Sequence, residues 1–370
     1  MPTSNTDKFS DIRPYNDQEI QPAIKRVINN EEFINAIVNF RFPKLSKMLG
    51  FVLKPLLRQY FLYKWGNIDS IDKMQKVVAV YVQHMIDSTT SKFTYSGLEN
   101  LCASKNYLFV SNHRDIAMDP SFVNWALYTE QFKTVRIAIG DNLLSKPYVS
   151  DLMRMNKSFI VKRSVTGVRE MMKSLSHLSD YICSSLKDDS SIWIAQREGR
   201  AKDGFDKTEP AIVKMFYVNG KKQKIPFSEY IKSLNIVPVS VSYEFDPCDQ
   251  QKATELHEKA TSGEYNKTEF EDIESIVSGI VGQKGHVHVA FGEPLTDDFE
   301  TAEEVAEEID QQIYKNYYLH PSNLIAAEQD LDSVAAKDIA MFKARIQAVK
   351  PELQEMVLKM YANPVRHHTS

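Results

Sequence analysis

The sequence predicts an α/β protein, a sheet flanked by helices with helical extensions at both ends. Three observations carry that prediction. Short apolar runs alternate with helix-length segments between residues 90 and 296. Several of those runs do not alternate in polarity, as expected of strands covered on both faces. The flanking stretches 31–87 and 297–362 read as helices.

In chain order, residues 1–30 are polar and are expected to be loose. Residues 31–87 read as helices, ending in the amphipathic stretch Met74 to Met85. Lys92–Ser96 alternates like a strand, Gly97 turns the chain, and Tyr107–Val110 is a second strand. Phe122 to Tyr128 follows as a helix. Thr134–Ile139 and Ser158–Val161 are the third and fourth strands, with a helix over Val165–Leu186. Ser191–Ala195 is the fifth strand, leading into a loop with Gly199 and Gly204. Ile236–Tyr243 is the sixth, and His286–Phe291 the seventh, stopped by Gly292 and Pro294. Residues 297–318 are acidic and helical, 321–362 are further helices, and Arg366-His367-His368 is a polar tail. The expected organisation is a helical region over 1–87, an α/β domain over 88–296 and a helical region over 297–370.

Composition is that of a globular protein: 370 residues, 43% apolar, 25% charged, net charge −4. That charge gives no general argument for nucleic acid. Cys102, Cys183 and Cys248 are odd in number and widely spaced, which fits a reducing compartment rather than a disulfide framework or a zinc knuckle. The polar stretch Met1–Asn16 has no apolar signal-peptide core, and no run of 18 apolar residues predicts a membrane-spanning helix. One segment departs from this balance. From Arg41 to Ile68 there is no acidic residue, but there are Arg41, Lys44, Lys47, Lys54, Arg58 and Lys64 among many apolar and aromatic residues. At 100° per residue Lys44, Lys47, Lys54 and Arg58 share a stripe. Pro55 is expected to kink this helix or split it. The pattern suits an anionic membrane surface, reached peripherally from the cytoplasmic side. The plain alternative is a core-packing helix with a solvated basic edge.

The chemistry concentrates at strand ends, where loops on a rigid sheet carry function. Asn112-His113-Arg114-Asp115-Ile116-Ala117-Met118-Asp119-Pro120 follows the second strand. Asp119-Pro120 reads as an N-cap and a first helical position. A histidine held by a carboxylate is a general-base arrangement, because the acid fixes the tautomer and stabilises the imidazolium as it forms. The embedded His-Arg-Asp is not a kinase catalytic loop: Pro120 stands where the Asn is required. Lys162-Arg163 follows the fourth strand, and Gln196-Arg197-Glu198-Gly199-Arg200-Ala201-Lys202-Asp203-Gly204 the fifth. Glycine lets backbone N–H groups approach an anion, and arginine grips phosphate oxygens bidentately. A phosphorylated substrate beside a histidine base is the reading if these strands are neighbours. The P-loop spacing is absent. His286 and His288 share one strand face, with no carboxylate or Cys nearby in sequence, and read as ordinary strand residues.

Together these blocks resemble the glycerolipid acyltransferase superfamily, the glycerol-3-phosphate and lysophosphatidate acyltransferases. The matching blocks are Asn112-His113 to Asp119-Pro120, Gly140-Asp141-Asn142-Leu143 through Ser158–Arg163, Ile192–Ala195 to Glu198-Gly199-Arg200, and Ile236–Tyr243. Tyr318-Leu319-His320-Pro321-Ser322-Asn323 is similar to a C-terminal stretch of some members. There are two departures. Five residues, not four, separate His113 from the aspartate, with Met118 in the usual place, and the third block lacks the Thr of Glu-Gly-Thr-Arg. Asp119 is the expected partner of His113, and Asp115 the alternative.

The resemblance implies a central mixed sheet and transfer of a fatty acyl group onto glycerol 3-phosphate or its 1-acyl derivative in phospholipid synthesis. The donor would be acyl-CoA or acyl carrier protein, with no metal or other cofactor. His113 would be the base and Asp119 its orienting acid. Arg163, Glu198, Gly199, Arg200 and Lys202 would bind the acceptor, with Glu198 positioning Arg200. Two other classes are compatible with the sequence: a thioester enzyme using Cys183 as nucleophile, and a non-catalytic lipid-binding protein on the same fold.

Overall fold

The structure, a computed structural model, describes residues 7–268 and 270–368, without the side chains of Phe40, Ser46 and Lys47. The chain begins with α1 (Asp17–Asn29), α2 (Glu31–Arg41), α3 (Ser46–Trp65) and α4 (Ile71–Thr89), then β1 (Thr90–Ser96) and β2 (Leu108–Ser111). Next come α5 (Met118–Thr129), β3 (Arg136–Gly140), α6 (Pro147–Met155), β4 (Ser158–Val161), α7 (Val168–Lys187) and β5 (Ile192–Ala195). Helices α8 (Pro210–Lys222) and α9 (Phe227–Ser233) precede β6 (Ile236–Tyr243). Helices α10 (Asp249–Ser262) and α11 (Glu271–Val281) precede β7 (Gly285–Phe291). The remainder is α12 (Ala302–Asn316), α13 (Pro321–Ala327), α14 (Ala336–Gln347) and α15 (Pro351–His368).

These elements gather into two compact units. One combines the chain up to Tyr81 with Arg136–Ser174, the other Val82–Val135 with Leu175 onward. The segments 1–87, 88–296 and 297–370 are thus recombined. In the first unit the buried faces of α1, α2 and α3 meet Tyr148, Leu152 and Met155 of α6. Its parallel pair β3/β4 runs from Ile137 opposite Ser158 to Gly140 opposite Val161.

Residues 17–29, expected to be loose, are helical. Asn16 and Glu19 form a capping box, and Ile20, Ile24, Val27 and Ile28 recur at helical spacing and are buried. The polar residues between them mask that periodicity. Residues 1–6 of the expected loose stretch lie outside the described residues. Pro55 does not split α3, which runs unbroken for 20 residues. The N–H that proline lacks and the crowding at its i−4 carbonyl are tolerated there.

The second unit holds a mixed sheet in the order β1-β7-β6-β2-β5. All neighbours are parallel except β6 and β7. Every residue of β2 and β6 is buried, which explains their continuous apolar runs. Pro238 sits inside β6 without loss. Asn235 and Val239 carbonyls accept from β2 at Leu108 and Asn112, so residue 238 turns its nitrogen towards β7. The ladder with β7 ends at Val239 opposite Phe291, one residue short of it. The C-terminal helices are integral to this unit: Phe342, Ile346, Leu353, Val357 and Tyr361 share a core with Phe245 and Ala253.

Candidate active site

The site grows from the C-terminal ends of β2 and β5, which are neighbours with Ser111 opposite Ala195. Past the end of β2, Asn112 continues the sheet with its side chain. Its Oδ1 accepts from the Val241 N–H at 2.8 Å and its Nδ2 donates to the Val241 carbonyl at 3.0 Å. An amide side chain carries both donor and acceptor, so it stands in for a peptide unit. His113 is therefore launched from a fixed point. Its own carbonyl accepts from the Ala201 N–H at 2.8 Å, which ties the 196–204 loop to the histidine.

His113 Nδ1 lies 2.9 Å from Asp119 Oδ2. Asp119 is fully buried. The same oxygen accepts from the Arg114 N–H at 2.6 Å and the Asp115 N–H at 2.9 Å, and Oδ1 accepts from the Tyr243 hydroxyl at 2.6 Å. A carboxylate with these donors is an acceptor towards the ring, so a neutral imidazole here carries its proton on Nδ1 and presents Nε2 as an acceptor. The Trp193 ring meets the imidazole edge-on at 5.9 Å.

The two aspartates divide the work. Asp115 does not face His113. Its Oδ1 accepts from the Ala117 and Met118 N–H groups at 3.0 and 2.9 Å, bracing the turn that leads into α5. Asp119 is therefore not an N-cap, because α5 begins at Met118. Asp119 falls in the first turn, and its side chain folds back over N–H groups 114 and 115. This absorbs the extra residue between His113 and Asp119. Asp115 Oδ2 has no partner among the described residues, and a Cβ at Gly279 would sit 2.1 Å from it, so α11 needs glycine there. Burial, then the Asp119 charge, pushes the Asp115 carboxyl above the usual carboxylate range.

The third block sits beside the dyad. Glu198 and Gly199 are exposed and Arg200 is half-buried. Gly199 holds φ at +75°, a conformation that disfavours a side chain. Arg200 donates to the Ser275 hydroxyl at 3.2 Å. Lys202 pairs with Glu255, which also binds Lys259. Burial draws the Lys202 ammonium below its ordinary value. Arg163 belongs to the first unit. Its N–H donates to Asp141 at 3.0 Å, and its guanidinium lies against Gly140. Cys183 is buried in α7, and burial raises the buried Cys248 thiol to about 12. Among the described residues neither thiol bonds to His113 or Asp119; the Cys248 thiol lies 3.5 Å from the Ser275 carbonyl.

Two residues escaped the sequence reading. Arg114 is buried, pairs with Asp206 and donates to the Gly204 carbonyl at 3.2 Å, anchoring the third block's loop. Tyr243 reaches Asp119 from the last position of β6. An arginine between the histidine and an aspartate of the strand-end motif, and a tyrosine closing a buried strand, were the available signals. Among the described residues no group of His, Cys, Asp or Glu is arranged to hold a metal.

The family model of the acyltransferases matches residues 92–241, from β1 into β6. Over these residues the chain is similar to the acyltransferase family. The match spans the first three resembling blocks and all of the fourth but its last two residues, so the resemblance is borne out over that stretch. Tyr318–Asn323 lies outside the matched span. No curated protein matches the chain. Among solved structures, the 1-acyl-sn-glycerophosphate (LPA) acyltransferase PlsC from Thermotoga maritima is 15% identical. The likeness covers 76% of this chain and 94% of that one, with a TM-score of 0.39.

Proposed function

We propose that the acyltransferase domain transfers a fatty acyl group from acyl-CoA or acyl carrier protein to a hydroxyl of glycerol 3-phosphate or 1-acylglycerol 3-phosphate, in phospholipid synthesis. The observation that carries this is the 2.9 Å contact between His113 Nδ1 and a fully buried Asp119 inside the matched domain. In this reading, the acceptor oxygen attacks the thioester carbonyl carbon and its proton passes to His113 Nε2. Asp119 stabilises the imidazolium. The tetrahedral intermediate collapses, the carbon–sulfur bond breaks, and His113 returns the proton to the departing thiolate. General-base assistance of this kind is worth about 10²–10⁴ in rate. Arg200 is the cation for the acceptor phosphate, with Gly199 giving its backbone room to approach. Lys202 would have to leave Glu255 to join it. Arg163 as a phosphate ligand rests on the resemblance of its block alone. Labelled acyl thioester offered with each acceptor in turn tests the reading. Transfer should fall by about 10²–10⁴ in His113→Ala, and full turnover in that variant would sink it.

A lipid acceptor or product would require a membrane-facing surface, and the exposed groups of α3 support that reading. Leu53, Leu57 and Trp65 pack against the first unit's core, while Met48, Phe51, Leu56 and Tyr63 are exposed, Phe51 by 77% and Tyr63 by 79%. Lys44 and Lys64 are exposed nearby in sequence, whereas Arg58 pairs with Glu31. Lys47 lies outside the described side chains. No helix of the described residues is long and apolar enough to cross a membrane. The fit is a peripheral contact, aromatic and aliphatic groups in the lipid and cations at anionic headgroups. Lys44→Glu with Lys64→Glu should weaken sedimentation with anionic vesicles, and added salt should do the same. Unchanged sedimentation in both would leave α3 as a core helix only.

A further inference from the structure

We propose that Tyr243 is a positioning residue for acyl transfer, holding Asp119 so that His113 keeps its proton on Nδ1. The inference rests on the reading of His113 as base. Asp119 Oδ2 takes three donors: His113 Nδ1 and the N–H groups of Arg114 and Asp115. Those two N–H groups belong to the same short loop as the histidine, so they move with it. Tyr243 is the donor to the other oxygen, at 2.6 Å, and it comes from a different element. It stands opposite Val287 in the antiparallel ladder with β7, at the end of a strand that is buried throughout. The Asp119 carboxylate is thereby referenced to β6 through that hydroxyl, beside the anchor that Asn112 gives the start of the loop.

The tyrosine ring has little freedom. It meets Phe122 edge-on at 5.8 Å, and Phe122 stacks on Phe93 at 5.4 Å. Phe122 lies in α5, one turn beyond Asp119, so the same ring packs on the helix whose carboxylate it holds. Burial, then the charges of Asp119 and Asp115, keeps the phenol protonated well above its ordinary range, so it donates at every pH at which the enzyme is assayed. Without that hydroxyl, Oδ1 would be a buried acceptor with no partner, and the carboxylate could rotate away from the ring.

Tyr243→Phe removes one oxygen and leaves the ring. We expect kcat to fall about tenfold, with KM for the acceptor changed less than about twofold. The acid limb of the pH–rate profile should move up by about half a unit, because a carboxylate that has lost a donor draws more strongly on the imidazole proton. The Nδ1 proton resonance of His113 should shift or broaden in the folded variant. A purely structural role would change the melting temperature and move neither readout. In Asp119→Asn, adding Tyr243→Phe should cost nothing further, since the tyrosine acts through the carboxylate. Wild-type kcat with an unmoved acid limb, or fully additive losses, would overturn the proposal. The two readings fail separately: a dead His113→Ala with an unimpaired Tyr243→Phe removes only Tyr243, whereas an active His113→Ala removes the base itself.

Discussion

At the scale of single residues, the site turns on two aspartates that look interchangeable in the chain. Asp119 gathers four donors, including the histidine, whereas Asp115 holds two backbone N–H groups and leaves one oxygen unpartnered. Asp119→Asn exchanges one acceptor oxygen for a donor within that set, and should lower kcat by about 10² or more. Asp115→Asn keeps an acceptor for N–H groups 117 and 118, and should retain most of the activity. Steady-state kinetics of both variants check the ranking, and a larger loss at Asp115 would reverse the assignment. Asn112 offers a stability test. Asn112→Ala strips two bonds from Val241, and should destabilise the fold by about 1–3 kcal/mol in urea unfolding. The pairing of His113 with Asp119 was legible because the residue types and a strand-to-helix boundary stood together. The choice between the aspartates was settled by the path of the loop, which depends on where α5 starts and on how closely Gly279 approaches.

At the scale of elements, β7 carries a histidine pair whose setting the sequence could not show. His286 Nε2 and His288 Nδ1 both meet the Thr94 hydroxyl, at 2.6 and 2.7 Å. His320, from the start of α13, stacks edge-on against His286 at 5.0 Å and is fully buried. Burial, with the neighbouring His286 charge second, lowers His288 to about 4 and His320 to about 3. Both lie below the ordinary 6.5, so the unfolded chain takes up protons first as pH falls. Their stabilisation is complete above about pH 6.5 and is lost towards pH 4 and then 3. Urea midpoints should therefore drop between pH 7 and pH 4.5, and His320→Phe should flatten that slope. An equal slope in the variant would show that other groups set the acid limit. Sequence spacing put His286 and His288 on one face, but the third ring arrives from 32 residues beyond His288. Only the fold brings it there.

At the scale of the whole molecule, the chain is divided by contacts rather than by order. The amphipathic helices α1 to α3 find their core with α6, from a segment inserted in sequence between two strands of the second unit. The C-terminal helices α14 and α15 close the other unit around Phe245 and Ala253. Deleting residues 336–368 should therefore collapse the second unit rather than release a dispensable tail. Loss of a cooperative thermal transition would register this, and a truncated chain with unchanged melting would contradict it.

The sequence by itself determined the α/β class, the strand cores and the chemistry-bearing blocks, because apolar runs and strand-end glycines, histidines and carboxylates are local signals. It also marked α3 as basic and apolar at once. Tertiary structure decided which carboxylate holds the histidine, that Lys202 is paired with Glu255, that Arg114 and Tyr243 brace the site, and which helices share a core. Each of these is a contact between residues distant in the chain, or a matter of where one turn of helix begins. Burial and direction set such contacts, and neither is written in spacing.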